Sequence, residues 1–320
     1  MMIKRKIAFL FPGQGSQYVG MGKELYEQYP TARKVFQLGN EVLGTSLSSL
    51  CFNGPEEDLK LTANTQPAIL LMSTAVLKVV EEYGLKPDFV AGHSLGEYTA
   101  LVAAGSLTIE DAVRLVRQRG LLMQEAVPPG EGTMAAIIGL SEEKILEMCA
   151  EASAAGVVEA ANYNSPGQIV LAGETLAIHR AMEIAKAKGA KRAIILPVSG
   201  PFHSSLLKEV SAKLANHLEK VIISRAWVPV VANYTAELET NPFVIKENLI
   251  KQVSAPVLWQ QSVERLITAG VTTFIEIGPQ KVLSSLVKRI DKNIEMYNIE
   301  DRNSLEETIS FLEEVQENVI

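Results

Sequence analysis

The stretch Phe89 to Ala100, FVAGHSLGEYTA, constrains this chain more than any other: an apolar run passes through Gly92-His93-Ser94-Leu95-Gly96 into helix-forming residues. A strand that turns sharply into a helix crowds its own backbone, and glycines two residues to either side of the serine leave room for the turn. G-x-S-x-G in that context is the pattern of a nucleophile elbow. It would set Ser94 at a helix N-terminus, where the Leu95 amide can donate to a developing oxyanion and the helix dipole favours negative charge. The pentapeptide also arises by chance, and an inert serine in a glycine turn is the alternative. The strand and helix on either side favour the nucleophile.

The surroundings agree with a parallel sheet covered on both faces. Ile7 to Phe11 is a compact apolar run ending in PGQG, the pattern of a fully buried strand entering a tight loop. Helical stretches follow around Thr31 to Leu43 and around Pro67 to Tyr83, the second stopping at Gly84, and Phe89 to Gly92 is the next strand. From about Thr133 the rhythm becomes strand (MAAIIGL), helix capped by Ser141, two strands (VVEAANY and GQIVLAG) joined through Asn164-Ser165-Pro166-Gly167, helix (LAIHRAMEIAKAKG) and strand (KRAIILP). That β-α-β-β-α-β order is a ferredoxin-like unit. The expected fold is therefore α/β: a hydrolase-like core over residues 1–126 and 200–320, with an inserted ferredoxin-like subdomain at 127–199. Pro128-Pro129-Gly130 and Ser199-Gly200-Pro201 supply the hinge chemistry at its borders. The α/β pattern then resumes with a helix from Ser204 to Lys220, VPVVANY as a strand, a helix containing LWQQSVERLITAG, TFIEIGP as a strand and a helix near Lys281. The acidic tail EETISFLEEVQENVI has the spacing of a surface helix.

Composition excludes several other classes. With 37 acidic against 30 basic residues the net charge is -7, whereas a general nucleic-acid binder needs a basic face to neutralise phosphates. Cys51 and Cys149 are too few for a disulfide framework and lack ligand spacing, so no metal is expected and the cytoplasm is the natural compartment. The opening MMIKRKIAFLFPGQG breaks at Pro12 and is better explained by a buried strand than by a signal peptide; no apolar run is long enough to span a membrane.

A serine nucleophile needs a base, and the chain has four histidines. His179 groups on its helix with Glu183 and Lys186, and His217 with Lys213 and Lys220, both away from the apolar stripes. His93 adjoins the serine, and neighbouring side chains at an elbow diverge. His203 remains, in the loop VSGPFHSS before a helix, where a nearby helix N-terminus disfavours the imidazolium. An ordinary α/β-hydrolase would carry its histidine late in the chain after an acidic partner, so a plain esterase or lipase fits poorly.

A second signal lies on the helix opened by Thr108-Ile109-Glu110-Asp111, which reads as a capping box. At 100° steps Ala112, Leu115, Val116, Leu122 and Met123 share one arc, with Arg114, Arg117, Gln118 and Glu125 opposite, and Arg119 falls inside the apolar arc. A buried guanidinium needs an anion. Its planar fork matches a carboxylate, which makes a substrate carboxylate one partner and a structural ion pair or a snorkelling stem the others.

Three motifs now stand in order, PGQGSQ at Pro12, GHSLGEY at Gly92 and GPFH ending at His203, together with RGLLMQEAVP from Arg119, NYNSPGQIVLAG from Asn162 and TFIEIGPQKVL from Thr273. Across essentially the whole chain they resemble the malonyl-CoA:acyl carrier protein transacylase family of fatty acid synthesis. The resemblance implies that Ser94 is the nucleophile, His203 its base, and Arg119 the partner of the malonyl carboxylate. It assigns the oxyanion hole to the amides of Gln14 and Leu95, and the orientation of the imidazole to a backbone carbonyl near Gln252 in place of a triad aspartate. His93, Met123, Phe202 and Asn162 are expected in the pocket, Phe202 as the bulky residue associated with malonyl rather than methylmalonyl preference.

The implied partners are malonyl-CoA and an acyl carrier protein bearing phosphopantetheine, with no permanently bound cofactor, no nucleic acid and no membrane; the chain is expected to be a monomer. Carrier proteins are acidic, so Lys186, Lys188, Lys191 and Arg192, or Lys281, Lys288 and Arg289, are candidate docking clusters, with solvated surface charge as the plain alternative. Rival functions are a free-standing polyketide acyltransferase, a carrier-protein acyl hydrolase and a noncatalytic carrier-binding module.

Overall fold

A computed structural model describes residues 5–128, 130–198 and 200–317. Pro129 and Ser199, in the two expected hinges, lie outside the described residues, as do the last three residues of the acidic tail. The strands of the first half are β1 (Ile7–Phe11), β2 (Phe89–Gly92), β3 (Gly132–Ile138), β4 (Val158–Ser165) and β5 (Gln168–Glu174). Those of the second half are β6 (Arg192–Ile195), β7 (Val230–Val231), β8 (Leu238–Glu239), β9 (Thr273–Ile277) and β10 (Glu295–Ile299).

They form two sheets. The larger has the order β10-β9-β1-β2-β7-β8, parallel from β10 to β7, with β8 antiparallel at the edge. β1 is apolar throughout because both its faces are covered. Phe9 and Phe11 pack into the core under the helices Thr62–Glu82 and Gly96–Ala103, while Ala8 and Leu10 face the helices Trp259–Thr268 and Val282–Ile290. The smaller sheet is antiparallel, in the order β4-β5-β3-β6 expected of a ferredoxin-like unit. Its alternation sorts two cores. Ala135, Ile137, Ile169 and Leu171 pack with the helices Glu142–Ala152 and Thr175–Ala187, while Met134, Ala136, Val170 and Ala172 pack into the main core.

Some elements depart from the sequence expectation. The helix expected from Pro67 begins at Thr62, so Pro67 lies within it. Its ring removes the amide that would have bonded Ala63, and the Ala63 carbonyl instead accepts from Arg117 Nη1 at 2.7 Å. Only Val230–Val231 of VPVVANY joins the sheet, and the chain beyond it serves the site described below. The expected turn at Asn164–Gly167 is shorter, because β4 runs on to Ser165 with register shifts at Ala160/Asn162 and Tyr163/Ser165. The helix after His203 opens with a 3₁₀ turn, Ser205–Leu207, before Lys208–Leu218. β10, half-buried along most of its length, and the helix Pro242–Gln252 lacked a clear apolar period and were not expected. In the terminal helix Leu305 is buried, so that helix packs against the core as well as lying at the surface.

Candidate active site

Phe11 and Gly92 are paired across parallel neighbours, so the loops leaving β1 and β2 emerge side by side at the C-terminal edge of the sheet. The elbow forms there. Ser94 has φ 52°, a left-handed conformation uncommon for a residue with a side chain. The flanking glycines sit where the turn closes: a Cβ on Gly92 would meet the Gly96 carbonyl at 2.0 Å, and one on Gly96 the Phe11 carbonyl oxygen at 2.0 Å. Asn233, just past β7, ties the turn down, accepting from the Ser94 amide at 2.6 Å and donating Nδ2 to the Gly92 carbonyl at 2.7 Å.

Ser94 Oγ lies 2.7 Å from His203 Nε2. The other ring nitrogen, Nδ1, is 2.8 Å from the Gln252 carbonyl, which can only accept. Nδ1 must therefore carry the proton of the neutral ring, and Nε2 is left to accept from the serine hydroxyl. Burial pushes the His203 pKa down to about 3, assisted by the positive charge of Arg119, so the ring is neutral at physiological pH. His203 also has a left-handed backbone, φ 61°. The turn after it is held by Glu159 of β4, whose carboxylate accepts from the Ser205 amide and hydroxyl, each at 2.7 Å.

Arg119 is 1% exposed. Its Nη2 donates to Ser94 Oγ at 3.0 Å and to Gln252 Oε1 at 2.9 Å, and its Nη1 donates to Gln66 Oε1 at 2.8 Å. The guanidinium carbon stands 5.6 Å from the centre of the Tyr98 ring. No carboxylate among the described residues pairs with it directly. The carboxylate of Glu97 is linked to it through Gln252, whose Nε2 donates to Glu97 Oε2 at 2.7 Å. Burial raises the Glu97 pKa to about 7 against the pull of its hydrogen bonds and of Arg119.

A cavity of about 90 Å³ opens over the serine, and Gln14, His93, Ser94, Leu95, Arg119, Met123, Asn162, Phe202 and His203 all line it. Gln252 closes the site from behind through its hydrogen bonds. The amides of Gln14 and Leu95 have no acceptor among the described residues, while the Gln14 side chain donates to Thr62 Oγ1 at 3.1 Å. His93 turns from the serine, as neighbours at an elbow do, and donates Nε2 to Asn164 Oδ1 at 2.9 Å; desolvation lowers its pKa. A larger cleft of about 600 Å³, between the helices Pro30–Leu43, Ile109–Gln124 and Lys208–Leu218, lies away from this serine.

Sequence reasoning missed Gln66, Asn233 and Glu97. Asn233 and Gln66 leave no local signal, since each is recognisable only by what folding brings to it. Glu97, an acidic residue in the apolar helix after the elbow, could have been flagged by its composition. Of the candidate docking residues, Lys188 faces Glu147 and Glu151 at 3.5 and 3.8 Å, and Lys288 and Arg289 hydrogen-bond to the Ile294 carbonyl and to Gln168. Lys186, Lys191, Arg192 and Lys281 are exposed. Among the described residues no group of three or more His, Cys, Asp or Glu could hold a metal ion, and no helix is long and apolar enough to cross a membrane.

A parallel sheet with a serine elbow, a histidine in contact with that serine and an antiparallel βαββαβ unit above it define a hydrolase-like α/β enzyme. Residues 8–307 match the family model described as the acyl transferase domain. The malonyl CoA-acyl carrier protein transacylase of Bacillus subtilis (strain 168) is 52% identical over 98% of this chain and 99% of its own. The solved structure of the malonyl CoA-acyl carrier protein transacylase from Clostridium perfringens superposes with a TM-score of 0.95 at 46% identity, covering 98% of this chain and 99% of that one. Another, of a type II PKS acyl-carrier protein in complex with its malonyl-transacylase, gives 0.93 at 43% identity, covering 95% and 99%. The chain belongs to the acyl transferase domain family, among the malonyl CoA-acyl carrier protein transacylases.

Proposed function

We propose that this protein transfers a malonyl group from malonyl-CoA to the phosphopantetheine thiol of an acyl carrier protein, through an ester on Ser94, in fatty acid synthesis. One observation carries the reading: Ser94 Oγ is 2.7 Å from a neutral imidazole and 3.0 Å from a buried guanidinium that lacks a direct carboxylate partner. The imidazole suits a general base, and the guanidinium suits an acyl group that brings its own carboxylate.

In the first half-reaction His203 Nε2 takes the hydroxyl proton as Ser94 Oγ attacks the thioester carbon. The amides of Leu95 and Gln14 receive the oxyanion, and as the C–S bond breaks His203 returns the proton to the CoA sulfur. In the second half the carrier's thiol gives its proton to His203 and attacks the ester carbonyl, and His203 reprotonates Ser94 as the C–O bond breaks. The malonyl carboxylate on Arg119 keeps the acyl chain in place through both halves. A hydrogen bond to a charged group contributes about 1.5–3 kcal/mol, enough to favour malonyl over acetyl roughly tenfold or more. Met123, Asn162, His93 and Phe202 shape the rest of the pocket, with Phe202 restricting substituents next to the carboxylate. Gln252 orients the imidazole through its carbonyl.

Three coarser assignments go with this. The smaller sheet and its two helices form an inserted subdomain over residues 127–199, the enzyme works as a cytoplasmic monomer without a permanent cofactor, and the carrier docks on Lys186, Lys191 and Arg192 or beside Lys281. Lys188 is the weaker member of the first cluster, being already engaged by two glutamates.

The test is incubation of the protein with malonyl-CoA, with and without a phosphopantetheinylated carrier protein. Transfer to the carrier with little free malonate in its absence is expected. Rapid release of malonate without an acceptor would make the protein a hydrolase.

A further inference from the structure

Glu97 takes no part in the steps above, although it is buried at 3% exposure within the site. Its Oε2 accepts from Gln252 Nε2 at 2.7 Å and from the Asn233 amide at 3.0 Å. Both partners hold the reacting groups. Gln252 donates its remaining N–H to the Ser94 carbonyl at 3.0 Å, accepts from Arg119 at Oε1 at 2.9 Å, and accepts from His203 at its backbone carbonyl at 2.8 Å. Asn233 carries the elbow through its contacts with the Ser94 amide and the Gly92 carbonyl.

The side-chain amide of Gln252 could sit in two orientations related by a flip. Glu97 Oε2 already accepts from the Asn233 amide, and ionised or protonated on Oε1 it remains an acceptor there, so it must face the nitrogen end of Gln252, and the oxygen end then points at Arg119. Flipped, the amide would set N–H groups against the guanidinium and its oxygen against both the Glu97 carboxylate and the Ser94 carbonyl. Two kinds of mismatch, donor on donor and acceptor on acceptor, would replace three hydrogen bonds among buried groups. We infer that Glu97 is a positioning residue for malonyl selection: by locking the Gln252 amide it aims the Arg119 guanidinium at the acyl group carried on Ser94. The inference rests on the reading of Arg119 as the carboxylate partner.

The experiment measures kcat/KM for malonyl and acetyl loading of Ser94 in wild type, Glu97→Ala, Glu97→Gln and Glu97→Asp, with melting curves for each. Glutamine keeps an acceptor at the position of Oε2 without the charge, and no donor among the described residues meets Oε1. Aspartate keeps the carboxyl group but withdraws the acceptor by one methylene. Glu97→Ala and Glu97→Asp should lose the preference for malonyl over acetyl by about tenfold, the scale of one hydrogen bond to a charged group. Glu97→Gln should retain most of it. In a Gln252→Ala background the loss from Glu97→Ala should shrink, because its route to Arg119 is gone.

Equal loss of malonyl and acetyl loading in Glu97→Ala, or full additivity with Gln252→Ala, would overturn the inference. If Glu97→Ala does not fold, the other two variants decide: glutamine selective and aspartate unselective supports it, and any other pairing overturns it. A wild type that loads malonyl while the variants keep its selectivity sinks this inference alone. A wild type that forms no malonyl-enzyme sinks the reading of the site and this inference with it.

Discussion

The elbow carrying Ser94 and the loop carrying His203 meet at 2.7 Å, and both residues adopt left-handed backbones, yet they are stabilised in different ways. The elbow is built mostly from its own neighbourhood. Gly92 and Gly96 let its backbone close on itself and on β1, and the strand and helix on either side fix its direction. The loop borrows its shape from distant segments: the Gln252 carbonyl holds the ring, Glu159 of the smaller sheet holds the turn after it, and Pro201 packs against Gly132. A left-handed residue with a side chain costs on the order of 1–3 kcal/mol, so each conformation persists only while its supports do. The position of Ser94 therefore depends on local sequence, and that of His203 on how the two sheets are assembled.

That contrast can be tested from the strongest perturbation down. Removing the proposed base, His203→Ala, should slow malonyl loading by about 10²–10⁴-fold with the elbow and the melting temperature nearly intact. Single-turnover loading measured beside a melting curve checks this; comparable loss of stability would mean that the two regions support each other more than the contacts indicate.

A smaller effect is expected at the substrate's end of the site. Arg119→Ala should cut malonyl loading about tenfold or more relative to acetyl loading, and equal losses would reduce the arginine to a structural role. The same variant carries a pH signature. Arg119 is a nearby positive charge that disfavours protonation of His203, so its removal must raise the histidine pKa from about 3, and the lowest acid limb of kcat/KM for acetyl loading should move to higher pH. Burial is the larger cause of the depression and survives the substitution, so the limb should remain below the ordinary histidine value of about 6.5. An unmoved limb would show that it belongs to another group.

The smallest change probes the borrowed supports. Glu159→Ala leaves the elbow untouched but frees the Ser205 amide and hydroxyl, and should lower loading several-fold, less than the roughly 1.5–3 kcal/mol of a hydrogen bond to a charged group because the loss reaches His203 only through the turn. Loading rates that match wild type would mean that Gln252 alone suffices to hold the ring.

The same difference explains what could be read from the chain. β1, β2 and the elbow were legible because their determinants are consecutive: an apolar run, a glycine-flanked serine, a helix. The βαββαβ unit was legible from its alternation, and Arg119 from its place on an apolar arc. His203 was reached only by setting the other histidines aside, since nothing in VSGPFH announces a base. Gln252, on the unexpected helix Pro242–Gln252, became a candidate through resemblance to a family alone. Gln66, Asn233 and Glu97 act through partners 53, 139 and 155 positions away, a distance over which local pattern carries no information.

The most direct test of the account is peptide mapping by mass spectrometry after a brief exposure to malonyl-CoA without an acceptor. A single malonyl ester on Ser94, absent from Ser94→Ala and much slower to form in His203→Ala, is the predicted result. A malonyl group on any other residue, or transfer to the carrier protein by Ser94→Ala at the wild-type rate, would contradict it.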